Sequence, residues 1–435
     1  MQGQICVLPR GRSVRLAVAL GLVLALAFPM LAGAQESTPG GESLSGVLLA
    51  PDGAPLAGAI IRVTATDDVP VADVEAASDG SWTIALGPGS YRVLVDPESL
   101  PEALRESAAA IGLDVVLRPG QNRTLLFPLG AEETVGRGFA DRFLQAAFNG
   151  VKFGMIIAMT AIGLSLIFGT TGLINFAHGE LVTLGAALAF LFNASGALGF
   201  RLHLVPAAAL SILLVALFAA GLDRGLWRPL RARKVGLFQM LVISIGLMLV
   251  LRHIIVIAYG SRSRPFAQYA LQTPLELGPL RVAPRDLSVI VVSLVVLLGV
   301  ALLLERSRLG KAMRAVADNR SLAAASGIDV ERIVLFVWTV GGGLAATGGV
   351  LLGTVENVNW LMGFRLLLLM FAGMILGGLG SAYGALVGAL IVGLVTELSV
   401  LFLPSELKYM WALFVLIVVL LVRPQGILGV KERVG

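Results

Sequence analysis

Asn175, His178 and Glu180 lie close together in Gly172-Leu-Ile-Asn-Phe-Ala-His-Gly-Glu-Leu-Val-Thr-Leu-Gly185, between two apolar runs each long enough to enter a bilayer. Two of these side chains can carry charge, and all three are costly in hydrocarbon. Polar groups at membrane depth face a bundle interior or a pathway. The trio can line a pathway, latch the helices that gate it, or stabilise a helix break. Gly172, Gly179 and Gly185 surround it and allow tight turns or close helix approach. Glu397 also lies inside a long apolar segment, so it must find a donor, water or a proton. Glu356, Asn357 and Asn359 follow another such segment, where they either meet solvent or receive a substrate's amino group.

Other chemistries find little support. Gly310-Lys311 is not a phosphate loop, because Ala312 replaces the required Ser or Thr and the upstream glycine is missing. Any ATP-driven step needs a nucleotide site on another polypeptide. A single cysteine, Cys6, excludes an internal disulfide and cysteine-only metal sites. No Lys/Arg-rich block with interleaved aromatics points to nucleic acid.

The elements that must position these residues are membrane helices. Of 435 residues, 57% are hydrophobic and 14% charged, against about 25% charged in ordinary globular chains. Nine apolar segments lie near 148–169, 181–197, 203–221, 238–259, 287–304, 333–353, 364–380, 384–403 and 409–422, of which the second, seventh and last are short. The fold class is therefore mainly α: a polytopic transmembrane unit of about eight to nine spans over 145–430. If all nine cross, the basic stretches 222–237, 305–332 and 423–435 fall inside, as the excess of Lys and Arg requires. The stretch 260–286, with Arg262, Arg264, Arg281 and Arg285, runs against that pattern and is a candidate surface for an external partner.

Arg10, Arg12 and Arg15, an apolar run from Leu16 to Leu31 and Ala32-Gly-Ala34 have the order of a secretory signal peptide over 1–34. A spacer over 35–43 leads into 44–130, where short alternating strands are separated by Pro51-Asp-Gly53, Asp79-Gly80 and Gly87-Pro-Gly89. Trp82, Ile84 and Leu86 share one face of a strand. This region reads as a small exported β-sandwich.

Within the membrane region Gly380, Gly384 and Gly388 share a face if one helix runs through them, a spacing suited to close helix packing. The stretch 311–326 reads as a short amphipathic helix ending at Gly327, with Met313, Val316 and Ala317 on its apolar side. Such a helix lies on the bilayer or docks on a cytoplasmic protein.

Four blocks carry a resemblance. Gly163-Leu-Ser-Leu-Ile-Phe-Gly-Thr-Thr-Gly-Leu-Ile-Asn-Phe-Ala-His-Gly-Glu-Leu181 resembles the signature of permeases in branched-chain amino acid ABC importers. Gly310-Lys-Ala-Met-Arg-Ala-Val-Ala-Asp-Asn-Arg320, Leu376-Gly-Gly-Leu-Gly-Ser-Ala-Tyr-Gly-Ala-Leu-Val-Gly-Ala389 and Arg423-Pro-Gln-Gly-Ile-Leu-Gly429 follow in the family's order. The chain is closer to the first of the two paired permeases. The resemblance implies a multi-pass protein of the cytoplasmic membrane. Its partners would be a second permease, two cytoplasmic ATPases that bind ATP and Mg, and an external solute-binding protein. It also implies that 310–328 is a coupling helix, with Gly310, Arg314, Ala315, Asn319 and Gly327 as coupling positions. Branched-chain amino acids are the implied cargo. Urea or short amides, and an ion-coupled secondary transporter, are the competing readings. Asp52-Gly53, Asp79-Gly-Ser-Trp82 and Pro88-Gly-Ser-Tyr-Arg-Val93 resemble the carboxypeptidase-regulatory-like β-sandwiches, an appendage unusual in this permease family.

Overall fold

The computed structural model describes residues 43–428, apart from 49, 51–54, 66–68, 103, 106–111, 118–121, 128–137, 195–201, 262, 267, 270, 271, 273, 405, 406 and 424. The signal segment, residues 35–42 of the spacer, the Pro51-Asp-Gly53 turn and the charged tail at 431–433 lie outside the described residues. The chain divides into a β-rich unit within 36–138, joined by 271–275, and a helical unit comprising 139–270 and 276–435.

Seven strands build the β-rich unit: β1 (Ser43–Val47), β2 (Ile60–Ala65), β3 (Pro70–Glu75), β4 (Ser81–Ala85), β5 (Gly89–Val95), β6 (Gly112–Leu117) and β7 (Asn122–Leu126). They form two sheets, β4-β1-β7 and β3-β2-β5-β6. The β1–β7 pairing is parallel, while β1–β4, β2–β3, β2–β5 and β5–β6 are antiparallel. The two-residue side-chain period sends Leu44 and Trp82 from one sheet, and Ile61, Val63, Val93 and Val95 from the other, into one core. Trp82 and Leu86 are buried and Ile84 partly so, the face expected from the alternation. β6 and β7 each lie at an edge of their sheet. Gly80 turns the chain at φ +76°, and Asp79 Oδ1 accepts from Ser81 N at 3.0 Å and Ser81 Oγ at 2.6 Å. Those two bonds hold the Asp79 carboxyl below its usual range.

The helical unit follows the nine apolar segments. Its helices are α1 (Phe139–Thr171), α2 (His178–Ala194), α3 (Leu204–Leu222), α4 (Arg228–Ala232), α5 (Leu237–Tyr259), α6 (Pro284–Arg306), α7 (Arg308–Asp318), α8 (Arg320–Ala325), α9 (Val330–Glu356), α10 (Met362–Gly377), α11 (Ala382–Leu398) and α12 (Lys408–Val422). A π-turn over Asp223–Trp227 joins α3 to α4 without a break. Among the described residues, six helical stretches are long and apolar enough to cross a membrane: α1, α3 through α4, α5, α6, α9 and α11 with its 3-10 extension. The second, seventh and last segments form helices of 17, 16 and 15 residues. At 1.5 Å per residue these fall short of a hydrocarbon core of about 30 Å. Among the described residues six stretches meet the length of a crossing helix, fewer than the eight to nine expected.

Centre and periphery differ sharply. In α1 the most apolar stretch is 83% buried, and in α9 72%, whereas in α6 it is 17%. The outward faces of α3, α5 and α6 expose Leu213, Leu217, Ile257, Val295 and Leu298, the surface that lipid covers.

Two sequence expectations change here. Gly380 is not on the helix that carries Gly384 and Gly388. It sits in the preceding turn at φ +79°. Ser381 caps α11, its Oγ accepting from Gly384 N at 3.0 Å. Gly384 and Gly388 do pack closely, since a Cβ on either would strike the backbone of Gly377. Nor is 311–326 a single helix. Asn319 ends α7 and caps α8, its Oδ1 accepting from Leu322 N at 3.0 Å. Gly327 closes α8 at φ +84°.

Candidate functional site

The site begins where α1 stops. Gly172 adopts φ +70°, a conformation that costs glycine little, and turns the chain into the connector 172–177. Asn175 Oδ1 accepts from Ala177 N at 3.1 Å, so this buried amide shapes its own turn. Phe176 N donates to Ser244 Oγ on α5 at 3.2 Å, and that hydroxyl contacts Ile174 O at 3.3 Å. The connector is thereby held against α5.

His178 opens α2 and is fully buried. Its Nε2 lies 3.1 Å from the Thr160 carbonyl of α1. A carbonyl only accepts, so Nε2 carries the hydrogen. Nδ1 has no hydrogen-bond partner among the described residues.

Glu180, one half-turn further, reaches a residue that sequence reasoning missed. Arg252 of α5 donates to Glu180 Oε1 from Nε at 3.0 Å and from Nη2 at 2.8 Å. The carboxylate side chain is 1% exposed and the guanidinium 11%. Arg252 also lies 4.2 Å over the ring of Phe364 on α10, a favourable cation–π geometry. Three helices, α2, α5 and α10, therefore meet at one ion pair. The signal was available: Arg252 is a lone arginine inside an apolar helix, which demands a partner for the same reason Glu180 does. Beside the pair, α2 and α10 touch through glycines. A Cβ on Gly179 would come 2.7 Å from Gly363 O, and Gly363 N donates to Thr183 Oγ1 of α2 at 3.1 Å.

The side chains of Asn175, His178 and Glu180 thus do not bond one another. Each goes to a different element: the connector itself, α1 and α5.

Glu397 finds its donor in Lys408 Nζ at 3.2 Å, and the same ammonium lies 4.0 Å from Glu356. These groups border two adjoining clefts that share Phe153 and Glu356. Lys152 of α1, also on this side, pairs with Asp286 of α6 at 2.9 Å and is 9% exposed.

Of the coupling positions, Arg314 and Asn319 are exposed, Gly327 is exposed, Ala315 is half-buried and Gly310 is buried. A Cβ on Gly310 would strike Leu304 Cα at 2.6 Å, so this glycine lets α7 lie on α6. Met313 and Val316 are each 2% exposed, packed in the core of the helical unit. The side read as a docking face is therefore occupied by the chain's own helices. Ala317, the third member of that side, is exposed, as are Arg314 and Leu322. Glu331 on α9 ties this region together. It pairs with Arg320 of α8 at 2.6 Å and with Arg231 of α4 at 3.1 Å, and Arg231 also reaches Asp223 at 2.8 Å. Trp227 and Trp338 stack beneath with centroids 5.8 Å apart. Arg231 reads in the sequence only as one of several basic loop residues, and nothing there marks Glu331 as its partner.

Apolar helices long enough to cross a membrane, packed around a buried polar connector, define a polytopic membrane protein. Residues 146–421 match the family described as the permease component of branched-chain amino acid transport systems, and the chain belongs to that family. It is 32% identical over 299 residues to the high-affinity branched-chain amino acid transport system permease protein LivH of Salmonella typhimurium, covering 67% of this chain and 96% of that protein. It is also 32% identical over 306 residues to the permease protein BraD of Pseudomonas aeruginosa, covering 67% and 97%. The probable permease LivH of Methanocaldococcus jannaschii is 30% identical over 302 residues, covering 65% and 91%. No solved structure matches. Permeases of this family are non-catalytic subunits of the cytoplasmic membrane, and ATP and Mg belong to separate ATPase subunits.

Proposed function

We propose that this chain is the first-type permease of an ATP-driven importer that carries leucine, isoleucine or valine into the cytoplasm. Its complex holds a second permease, two ATPases and an external solute-binding protein. The observation that carries this reading is the family match over 146–421 together with near full-length coverage of transport permeases.

The basic loops support α7 and α8 inside and the β-sandwich outside after a signal segment, an orientation in which the 17-residue α2 crosses as well as α1, α3–α4, α5 and α6. Of the β-sandwich, the Asp79-Gly80 turn and the Trp82 core position support a carboxypeptidase-regulatory-like module. It is proposed as an attachment to the binding protein or cell envelope, spanning 44–130, with the permease at 145–430. The exposed residues Arg314 and Leu322 form the side of α7–α8 that meets an ATPase, with Ala315, Asn319 and Gly327 setting its shape. The Glu331 network passes that movement to α4 and α9.

Asn175, His178 and Glu180 act as a latch on this reading. Each side chain is committed to a neighbouring helix or its own turn, as a latch requires and a substrate-facing group does not. Glu397, paired with Lys408, borders the clefts.

Competitive uptake tests the cargo. In vesicles holding the whole importer, leucine, isoleucine and valine should compete with one another, and urea should not. Uptake of urea with none of leucine overturns the cargo while leaving the importer class intact.

A further inference from the structure

The chain repeats a local structure that its sequence barely shows. The long helices α1 and α9 are each followed by a residue of positive φ, Gly172 at +70° and Asn357 at +69°. A short connector continues from each, 172–177 and 357–361, and leads into a helix of 17 or 16 residues. Asn359 Oδ1 accepts from Leu361 N at 2.8 Å, as Asn175 Oδ1 accepts from Ala177 N at 3.1 Å. Gly179 and Gly363 stand at the same spacing after these asparagines and touch one another. The contacts around them exchange partners. Thr183 Oγ1 of α2 accepts from Gly363 N at 3.1 Å, and Leu367, its counterpart on α10, lies 3.2 Å from a Cβ on Gly179. Reciprocal contacts of this kind mark a two-fold axis. α1 and α9 conform to it by running antiparallel, Gly163 against Gly341 and Thr160 against Gly348.

α5 grips both connectors. Its Ser244 Oγ accepts from Phe176 N at 3.2 Å and lies 3.3 Å from Ile174 O. Roughly 22 Å further along the helix, at 1.5 Å per residue, Tyr259 Oη donates to Val358 O at 3.1 Å. Arg264, just beyond α5, pairs with Val358 through two main-chain hydrogen bonds of 2.8 and 3.0 Å. Between the two grips, Arg252 reaches Glu180 of α2 and Phe364 of α10. Ser244 and Tyr259 both belong to the buried side of α5. Val358 is fully buried, and Leu173 of the other connector is 2% exposed.

We infer that the two connectors are opposed gates of one transport path, 172–177 toward the cytoplasm and 357–361 toward the outside, and that α5 is the rod that couples them. The inference rests on the proposed transport function and orientation and adds the moving parts. Closures related by an inverted repeat face opposite sides of a membrane. A rigid helix that tilts about its middle draws one grip away from its connector as it presses the other in.

Leu173→Cys and Val358→Cys, one at a time in a Cys6-free full-length chain assembled with its partner subunits, report the two connectors. Maleimide labelling is compared between the nucleotide-free complex and one holding ATP on hydrolysis-deficient ATPases. The state that raises labelling of Leu173→Cys should lower that of Val358→Cys. Tyr259→Phe removes one grip and should raise labelling of Val358→Cys about fivefold, the loss of one hydrogen bond, while lowering that of Leu173→Cys. Ser244→Ala should do the reverse. Labelling that changes in the same direction at both positions, or at neither, overturns the gates. An effect of Tyr259→Phe and of Ser244→Ala confined to the nearer connector overturns α5 as the rod. Covalent closure reads the outer gate separately. Arg264→Cys with Val358→Cys keeps the main-chain bonds, and residues so paired stand about 5.5 Å apart between Cα atoms, within reach of a disulfide. Oxidation should stop leucine uptake until the bond is reduced, and undiminished uptake with the disulfide formed overturns the outer gate. Labelling needs no cargo, so a wild-type complex that takes up no leucine overturns the proposed cargo and leaves the labelling to decide the gates.

Discussion

Breaking the Glu180–Arg252 pair one partner at a time should cost far more than breaking it from both sides. Arg252→Ala leaves a carboxylate that is 1% exposed with no donor and removes the cation seated 4.2 Å over Phe364. Stranding one charge of a buried pair costs about 3–5 kcal/mol. Glu180→Gln keeps the side-chain shape and strands Arg252, which is 11% exposed. Its long stem can carry the charge toward water, so the cost should be lower, roughly 1–3 kcal/mol. The double variant Glu180→Gln, Arg252→Gln puts two neutral amides where two charges stood. It should lie well above the sum of the single losses, with a coupling energy of about 2 kcal/mol. The assay is reversible unfolding of the purified membrane protein in mixed micelles, run as a double-mutant cycle. A structural latch further predicts that the double variant retains substantial uptake once folded. Additivity within about 0.5 kcal/mol, or a stable double variant without uptake, refutes the latch.

Three shorter predictions follow from the packing. Gly363→Ala places a methyl against Gly179 O and Thr183 Oγ1, so α2 and α10 must part; a loss of roughly 1–3 kcal/mol is expected, read as a lower melting temperature. Met313→Asp should destabilise the subunit by about 3 kcal/mol or more through a buried charge, whereas Arg314→Glu should leave it folded and uncouple ATP hydrolysis from uptake; normal coupling in Arg314→Glu argues against the exposed face as the ATPase contact. In a Cys6-free chain, Ser81→Cys should react with an impermeant thiol reagent on intact cells and Ser321→Cys should not, and the opposite pattern reverses the proposed orientation.

The helical fold was largely legible because long apolar runs admit few alternatives, and all nine segments became helices. Length was the weak point: runs that looked merely short ended as helices of 17, 16 and 15 residues. Gly380 shows a different limit. Intervals of four persist in sequence across a turn, and only Ser381 as a cap marks where α11 starts. Asn319 likewise interrupts a stretch of good helix formers by capping the next helix. The site was half legible. Burial cost singles out Asn175, His178 and Glu180, but a cost does not name the partner that relieves it, so Thr160 O and Arg252 emerged only in three dimensions. Of the apolar side of α7, Met313 and Val316 are buried as expected but against this chain's own helices, and Ala317 is exposed. Amphipathicity says that Met313 and Val316 are covered, not by which polypeptide.

On the proposed function this subunit imports its cargo at the expense of ATP hydrolysed by its partners. The most direct measurement is accumulation of labelled leucine in proteoliposomes that contain the full importer, with binding protein on one side and ATP on the other. Concentrative uptake that stops when the ATPases are made hydrolysis-deficient, and that persists when ion gradients are collapsed by ionophores, is the predicted result. Accumulation that survives loss of ATP hydrolysis and disappears with the ion gradient would contradict it.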